Sequence, residues 1–263
     1  DQHVKILLKL FTMEFSFFTS TTKEHQQMQQ TQAPLPSQLT MTSKVKLSSQ
    51  TLNVLKNYST INSSIVIRKG NVIRTISNGE NILAKYTCEE SFPTDFAIYD
   101  LSQFLSGLSL FDNPELDFTS GDYVTIRSGG RSVKYYFSDP EITLKSAPEK
   151  NVKFPGGDIS FGITAEELFA LQKASSVYDL PDLTFDTTNG SIRLIIRDKE
   201  NDTSNTFEQT ASGDFEGNYS LDVKIENIRL VPGSYTVKVS SQLISEWTNC
   251  DTDLTYYIAL EPA

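Results

Sequence analysis

A change of hydrophobic period, from two residues to 3.6, recurs along this chain and limits the folds that it can adopt. In the stretch FAIYDLSQFLSGL, Phe96 and Ile98 alternate with other residues as in a strand. After Asp100 the apolar residues have helical spacing, at Leu101, Phe104, Leu105 and Leu108. Because Asp is a favoured N-cap residue, this pattern predicts a short strand followed by a helix that begins after Asp100.

The same change of period occurs in three more segments. They begin near Val45, Ile159 and Tyr219, so consecutive units start 51, 63 and 60 residues apart. Short strand-like runs, separated by turn pairs such as Asn189-Gly190, follow each predicted helix. A repeat of this size indicates a repeated architecture, here of four β-α-β-β-β units.

The other predicted helices also have sequence signals at their ends. Ser48 is expected to cap the first helix, and Thr164 is expected to form a capping box with Glu167 at the start of the third. The spacing of Ile225 and Ile228 predicts a fourth, shorter helix, which a Pro-Gly pair ends.

Pairs of units predict two similar domains in an α+β chain. We place the N-terminal domain at 44–140, a connector rich in Pro and Gly at 141–157, and the C-terminal domain at 158–263. Residues 1–43 include a Gln- and Pro-rich stretch without a periodic apolar face. We therefore expect them to be a disordered or non-native extension outside the fold.

Several common kinds of active site are excluded by composition. Histidine does not occur after position 25, which removes the most frequent general base and the usual ligands of catalytic zinc. Carboxylate pairs such as Asp251 and Asp253 lie in loop-like stretches. We predict no enzymatic activity, no metal site and no cofactor, with a hydrolase that uses only carboxylates as the enzymatic alternative. For Cys88 and Cys250, two reduced thiols are the favoured interpretation, and a disulfide remains open.

The charge of the chain constrains its partners. Residues 1–40 hold three basic and three acidic side chains, so the rest of the chain carries the whole net charge of −10. A body this acidic repels nucleic acid on average, which argues against an open DNA-binding face. No stretch approaches the roughly 18 apolar residues of a membrane span, so no membrane partner is predicted.

Four stretches together resemble the DNA sliding clamps of T4-type bacteriophages. They are KLSSQTLNVLKNYSTINSSIVI, DFAIYDLSQFLSGLSLF, LVPGSY and YYIALEP, which stand in the family's order within about 44–263. The resemblance implies the DNA clamp fold, with helices lining the inside of a ring and sheets outside. It also implies a homotrimer that encircles duplex DNA and tethers the replicative DNA polymerase in viral DNA replication. The other implied partners are a clamp loader and late-transcription factors, in the cytoplasm of an infected bacterial host.

The resemblance also assigns candidate site residues. The helical faces that would point toward DNA suggest four cations, namely Lys56, Lys173, Lys224 and Arg229. Edge strands near 132–138 and 204–210 would pair between subunits, with Val133, Tyr135, Phe137, Thr206 and Phe207 at the interface. A pocket for a hydrophobic partner peptide would be formed by Ile142, Leu144, Pro232, Ala259, Leu260 and Pro262. For the apolar C-terminal segment, simple core packing is the alternative.

Two non-enzymatic alternatives remain at this point. A β-rich structural or adhesion module of a virion would explain the strands and the acidity, but it would not predict a helix at the same place in every unit. A monomeric binding protein with a clamp-like fold would keep the repeats without forming a ring.

Overall fold

The computed structural model of the protein describes residues 43–139 and 145–262. The predicted N-terminal extension therefore lies outside the described residues, except for Ser43, whose carbonyl accepts a hydrogen bond from the Phe118 amide at 2.7 Å. The start of the predicted connector, through residue 144, also lies outside them. Within the described part, no helix is long and apolar enough to span a membrane.

The described elements follow the predicted order of four units. The first unit contains β1 (Lys44–Lys46), α1 (Ser49–Ile61), β2 (Ile65–Ile67), β3 (Gly70–Ile76) and β4 (Ile82–Phe92). The second contains β5 (Phe96–Ile98), α2 (Leu101–Leu108), β6 (Glu115–Asp117), β7 (Tyr123–Ser128) and β8 (Arg131–Tyr136). The third contains β9 (Ile159–Ile163), α3 (Ala165–Tyr178), β10 (Asp182–Asp186), β11 (Ile192–Arg197) and β12 (Phe207–Ala211). The fourth contains β13 (Gly213–Phe215), β14 (Ser220–Lys224), a 3₁₀ turn (Ile225–Asn227), β15 (Tyr235–Ser240), β16 (Ile244–Asn249) and β17 (Leu254–Ala259).

The predicted helix starts are confirmed by their capping hydrogen bonds. The Ser48 side chain accepts from the Thr51 amide at 3.2 Å, and that of Asp100 accepts from the Gln103 amide at 2.8 Å. At α3, Thr164 and Glu167 form the full capping box. These side chains satisfy N–H groups that the first helical turn leaves without partners.

The predicted fourth helix is wrong in type and length, because this part of the chain forms only a single 3₁₀ turn. The Ile228 amide donates to the Ile225 carbonyl at 3.0 Å, three residues earlier, as in a 3₁₀ turn. Ile225 and Ile228 are three positions apart, and no apolar residue at i+4 extends the pattern. This spacing fits the three residues per turn of a 3₁₀ helix as well as it fits an α-helix. Pro232 has no amide N–H to donate, so a helix could not continue past it.

Four sheets connect the units. Their strand orders are β1-β6-β7-β8, β12-β11-β10-β14, β2-β5 and, for the seven-stranded sheet, β13-β9-β15-β16-β17-β4-β3. The predicted β7–β8 hairpin is confirmed, with Ser128 opposite Arg131 and with Gly129 and Gly130 at φ +56° and +80°. Two positive φ values are what a tight two-residue hairpin turn needs.

Packing follows the alternation of the strands. In β11, Ile192, Leu194 and Ile196 are buried while the residues between them are only half-buried. The core of the first two units includes the rings of Phe92, Phe96, Phe118 and Phe137, with centroids 5.0 to 6.4 Å apart. Trp247 and Phe185 are the corresponding large buried residues of the last two units.

The first and last units are joined within the chain, and the second and third units each end in an edge strand. Strand β17 pairs with β4 in antiparallel register, from Leu254 opposite Tyr86 to Ile258 opposite Ile82. In the repeat, β8 takes the place of β17 and β12 takes the place of β4. Both β8 and β12 are edge strands of their sheets. In β8 and β12 the chain therefore carries the two halves of a junction that it already makes once internally, between β17 and β4.

Candidate functional site

The helices present polar surfaces away from the sheets, and two of the predicted cations lie on them. Lys56 on α1 and Lys173 on α3 are exposed. Among the residues that the structure describes, neither has a carboxylate within ion-pair distance. Both ammonium groups are thus available to an anionic partner.

Arg229 lies between the 3₁₀ turn and the end of α1. Its guanidinium donates to the Thr60 carbonyl at 2.6 Å and to the Glu226 carbonyl at 2.9 Å. The Asn57 side chain donates to the Arg229 carbonyl at 3.1 Å and accepts from the Tyr256 hydroxyl at 2.8 Å. Arg229 remains exposed while it ties the first unit to the last, so a structural role and a charge on this surface coexist.

Lys224 does not lie on the helical surface, which corrects the sequence prediction. It ends β14, and its neighbour Val223 is in the core, so the lysine points to the opposite face of the sheet. There its ammonium is 2.7 Å from Asp182, which is fully buried. This contact with Asp182 is the main cause that raises the pKa of Lys224. We therefore remove Lys224 from the candidate DNA-facing set.

The candidate interface residues of β8 divide between its two faces. Val133 is 39% exposed. The Tyr135 ring packs on Phe104 at 5.1 Å, and its hydroxyl donates to the Asp100 carbonyl at 3.1 Å. Phe137, just after the strand, stacks on Phe118 in the core cluster. The backbone edge of β8 is free, but the side chains of Tyr135 and Phe137 are already used by their own subunit.

At the other edge, Thr206 is exposed just before β12 and Phe207 is half-buried within it. The neighbouring strand β11 holds the sheet together by ion pairs, since Arg193 contacts Asp186 at 2.6 Å and Glu208 at 3.3 Å. The edge strand is thus a regular part of a stable sheet, with one side available for a further strand.

The exposed large apolar side chains of the described residues lie in the second and third units, which end in the edge strands β8 and β12. Those of the second unit are Tyr99, Leu110, Val133 and Tyr136, and those of the third are Phe169, Val177 and Tyr178. Phe169 and Val177 are 64% and 65% exposed, and together with Lys173 they form one stripe on α3 at positions i, i+4 and i+8. Sequence reasoning missed this pattern, although the stripe itself could have been found from its helical spacing.

The candidate partner pocket is only partly formed by the predicted residues. Ile142 and Leu144 lie outside the described residues. Pro232 is exposed and Pro262 is half-buried, so both can be contacted. Ala259 and Leu260 are 1% and 0% exposed, so they belong to the core, which corrects their assignment.

A nearby cavity lies where β17 meets β4, under the described part of the connector. We call it the seam cavity; its volume is about 210 Å³, and it is lined by Arg74, Leu83, Lys85, Lys150, Asn151, Val152 and Tyr257. Burial, and then the nearby Glu246 carboxylate, raise the pKa of Tyr257 to about 12, so its hydroxyl stays protonated at neutral pH. Sequence reasoning missed the strand residues of this cavity because strands distant in sequence form it.

Comparison with known proteins identifies the family. Residues 43–138 match the family described as DNA polymerase processivity factor. The sliding clamp of Vibrio phage KVP40 is 35% identical over 223 residues, which cover 82% of this chain and 99% of that protein. The chain belongs to the sliding-clamp family of T4-like phages. The sliding clamp of Escherichia phage RB69 is 28% identical over 230 residues, covering 82% of this clamp and 97% of the relative.

Solved structures show the same fold at low sequence identity. The PCNA of A. fulgidus, solved with the C-terminal region of FEN-1, matches with a TM-score of 0.63 at 12% identity. The match covers 84% of this clamp and 98% of that chain. The PCNA of Entamoeba histolytica gives a TM-score of 0.60 at 14% identity, over 80% and 94% of the two chains. The α+β DNA clamp fold is confirmed, and the clamp is a phage replication protein of the processivity-factor class, so the virion-module alternative is not favoured.

Proposed function

We propose that three copies of the clamp close into a ring by pairing β8 of one copy with β12 of the next. The observation that carries this proposal is that the edge strands β8 and β12, which correspond in the repeat to the paired strands β17 and β4, fall in the same two units as the exposed large apolar side chains. The intrachain β17–β4 junction supplies the geometry, because repetition of one junction closes a head-to-tail ring. The number three comes from the resemblance to the family.

In the proposed ring, domains 44–140 and 158–263 place their helices toward the hole and their sheets outside. The charged residues within these helices, in the 3₁₀ turn and just after it are three cations, Lys56, Lys173 and Arg229, and three acids, Glu166, Glu167 and Glu226, and the caps Asp100 and Asp179 add two further acids at the helix ends. This balance gives little net attraction to phosphates. Residence on DNA would then come from topology, and the low attraction would let the ring slide on the duplex.

The proposed function is to encircle duplex DNA without sequence preference and to tether the replicative polymerase. The clamp has no enzymatic role in this proposal, and it acts in the cytoplasm of the infected host. A clamp loader would open the ring, and late-transcription factors would share the polymerase's docking region by the connector and C-terminus. Pro232 and Pro262 are accessible there, and the connector residues 142 and 144 complete the proposed pocket.

The experiment that tests the function compares retention on closed circular DNA with retention on the same DNA after linearisation. After loading, the clamp should stay on the circle and leave the linear form by sliding off its ends. Its lifetime on the circle should change little between about 50 and 200 mM salt, where a protein held by many phosphate contacts would lose orders of magnitude in affinity. Equal loss from circular and linear DNA would contradict encirclement.

A further inference from the structure

Another cavity opens between the ends of two helices. We call it the helix-end pocket; its volume is about 310 Å³, and it lies between the first turns of α1 and the end of α2. Its apolar lining includes Leu47, Leu52, Leu105, Leu108, Phe111 and Leu116. Ligand pockets are mostly apolar and measure roughly 300–1,000 Å³, so this cavity is large enough to hold a ligand.

The helix-end pocket is separate from the region by the connector. The connector reaches the other end of α1, where the Asn62 side chain donates to the Lys145 carbonyl at 3.3 Å. Leu52 lines the pocket and precedes Asn62 by ten positions, which is about 15 Å along a helix. The pocket shares no lining residue with the seam cavity. A ligand in it would therefore leave the region by the connector free.

The loop after α2, which forms one wall of the pocket, is held by the β7–β8 hairpin. The Arg131 guanidinium lies over the Phe111 ring, 5.9 Å from its centroid. The Ser128 hydroxyl donates to the Asp112 carbonyl at 2.6 Å. Leu116 of β6 is buried in the core and closes the pocket from below. The pocket is therefore formed before a ligand binds, which lowers the cost of binding.

Three exposed polar side chains line the pocket without a side-chain partner among the described residues. They are the Lys56 ammonium, the Ser49 hydroxyl and the Asn113 amide. Lys56 carries the only charge of the described lining. The carboxylate of Glu115, just after the loop, is already paired with Lys44 at 2.9 Å. Charge complementarity therefore favours a ligand with a carboxylate beside its apolar part, because all three side chains can donate to it.

The lining also favours a helix as the bound segment. The one strand that lines the pocket, β6, is already paired on both sides, with β1 and β7. A bound segment thus finds no strand edge to pair with and must satisfy its own backbone groups, as a helix does. Leu52 on α1 and Leu105 on α2 offer half-buried apolar surface on the two sides of the pocket. Lys56 follows Leu52 by four positions and is its neighbour on the surface of α1.

We propose that the helix-end pocket binds an amphipathic helix of a partner protein, which places two apolar side chains in the pocket and a carboxylate beside Lys56. The inference goes beyond ring closure, because all the lining residues belong to one subunit. Lys56 is also a candidate DNA-facing cation, so a bound partner would remove one of the cations that are available to DNA. The clamp would thus take a partner at a site apart from the region by the connector.

The test uses the full chain without DNA and a labelled alanine-rich peptide of about fifteen residues, which is long enough to form a helix. The peptide carries two Leu residues four positions apart, and Glu three positions after the second Leu. One twin has Gln in place of Glu, and another has Ala in place of both Leu residues. We expect the Ala twin to bind about tenfold or more weakly. The Gln twin should bind about threefold more weakly, because the ion pair with Lys56 would be exposed.

Two pairs of variants locate the binding site. Lys56→Gln should abolish the preference for Glu over Gln, whereas Lys173→Gln, which removes an exposed lysine of α3, should keep it. Ser109→Phe should fill the edge of the pocket and weaken binding about tenfold or more. Ser106→Phe is its matched control, since Ser106 is exposed on α2 outside the lining. Both serine hydroxyls donate to carbonyls of the same helix, at 2.7 and 2.8 Å.

Thermal unfolding separates a binding role from a structural one. Both Phe variants should melt close to the wild type, because both serines are exposed. No binding of the Leu-Glu peptide at about 1 mM, or equal binding of the Ala twin, would overturn the inference. So would equal weakening by Ser106→Phe and Ser109→Phe, or binding of a medium-chain fatty acid in the pocket without binding of the peptide. Failure of the proposed function would appear separately, as loss of the wild-type clamp from circular DNA.

Discussion

The exposed side chain of Phe169 on α3 gives the sharpest prediction about ring closure. Phe169 is 64% exposed in the single chain. Since a Phe side chain buries roughly 200 Å², about 130 Å² remains to be covered by a neighbouring copy. At about 25 cal/mol per Å², covering it stabilises each subunit contact by about 3 kcal/mol. Phe169→Ala should therefore weaken association by about 100-fold per contact.

Sedimentation velocity over a range of protein concentrations measures this effect. We expect Phe169→Ala to dissociate at concentrations where the wild type remains assembled. The melting temperature of the separated variant subunit should be close to that of the wild-type subunit, because an exposed side chain contributes little to the stability of its own fold. Asn53→Ala is the control, since Asn53 is an exposed residue of α1 in the first unit, whose last strand β4 is already paired with β17. If Phe169→Ala associates as tightly as the wild type, Phe169 does not lie in the interface and the reasoning is refuted.

Four further substitutions test individual parts of the account. Lys173→Glu should shorten retention on circular primed DNA without unfolding the subunit, and unchanged retention would remove this lysine from the DNA-facing surface. Lys224→Met should lower the free energy of unfolding in urea by about 3 kcal/mol, because it leaves the buried carboxylate of Asp182 without its cation. A loss smaller than about 1 kcal/mol would argue against that ion pair. Hydrogen bonds from Thr119, led by its hydroxyl, lower the pKa of Asp117. The carboxylate therefore stabilises the fold above pH about 4, and this contribution is lost as pH falls through the lowered pKa. Asp117→Asn should therefore be less stable than the wild type at pH 7, with the difference shrinking toward pH 3, and a difference that is constant with pH would contradict this. Thr164→Ala should lower the free energy of unfolding by about 1 kcal/mol through loss of the α3 cap, and an unchanged midpoint in urea would contradict the capping box.

Local signals predicted most of the fold because they act over a few residues. The side chains of Ser48, Asp100 and Thr164 accept hydrogen bonds from the first turns of the three helices, as the sequence indicates. The glycines of the β7–β8 hairpin supply the positive φ values that only a few residue types tolerate. Each of these features depends on chemistry that is readable within five positions of the chain.

The errors occurred where a short pattern fitted two structures. Ile225 and Ile228 fit both an α-helix and a 3₁₀ turn, and the chain forms the second. Lys224 was assigned to a helical face, although the alternation through Val223 already placed it on the other side of the sheet. Strand periodicity was the more reliable signal at this boundary.

The candidate site was less predictable because it depends on distant pairings. The seam cavity exists only because β17 pairs with β4, whose residues are more than 150 positions apart in the chain. The burial of Leu260, whose amide donates to the Leu243 carbonyl at 2.9 Å, likewise depends on the packing of the last strands. An apolar C-terminal segment in the sequence cannot distinguish a pocket wall from a core.

The most direct test of the central claim is the mass of the full chain in solution, measured by light scattering over a wide range of concentrations. Ring closure through β8 and β12 predicts three subunit masses that persist on dilution. A monomer that persists at the highest concentration would contradict closure, and it would leave the clamp fold as a monomeric binding protein.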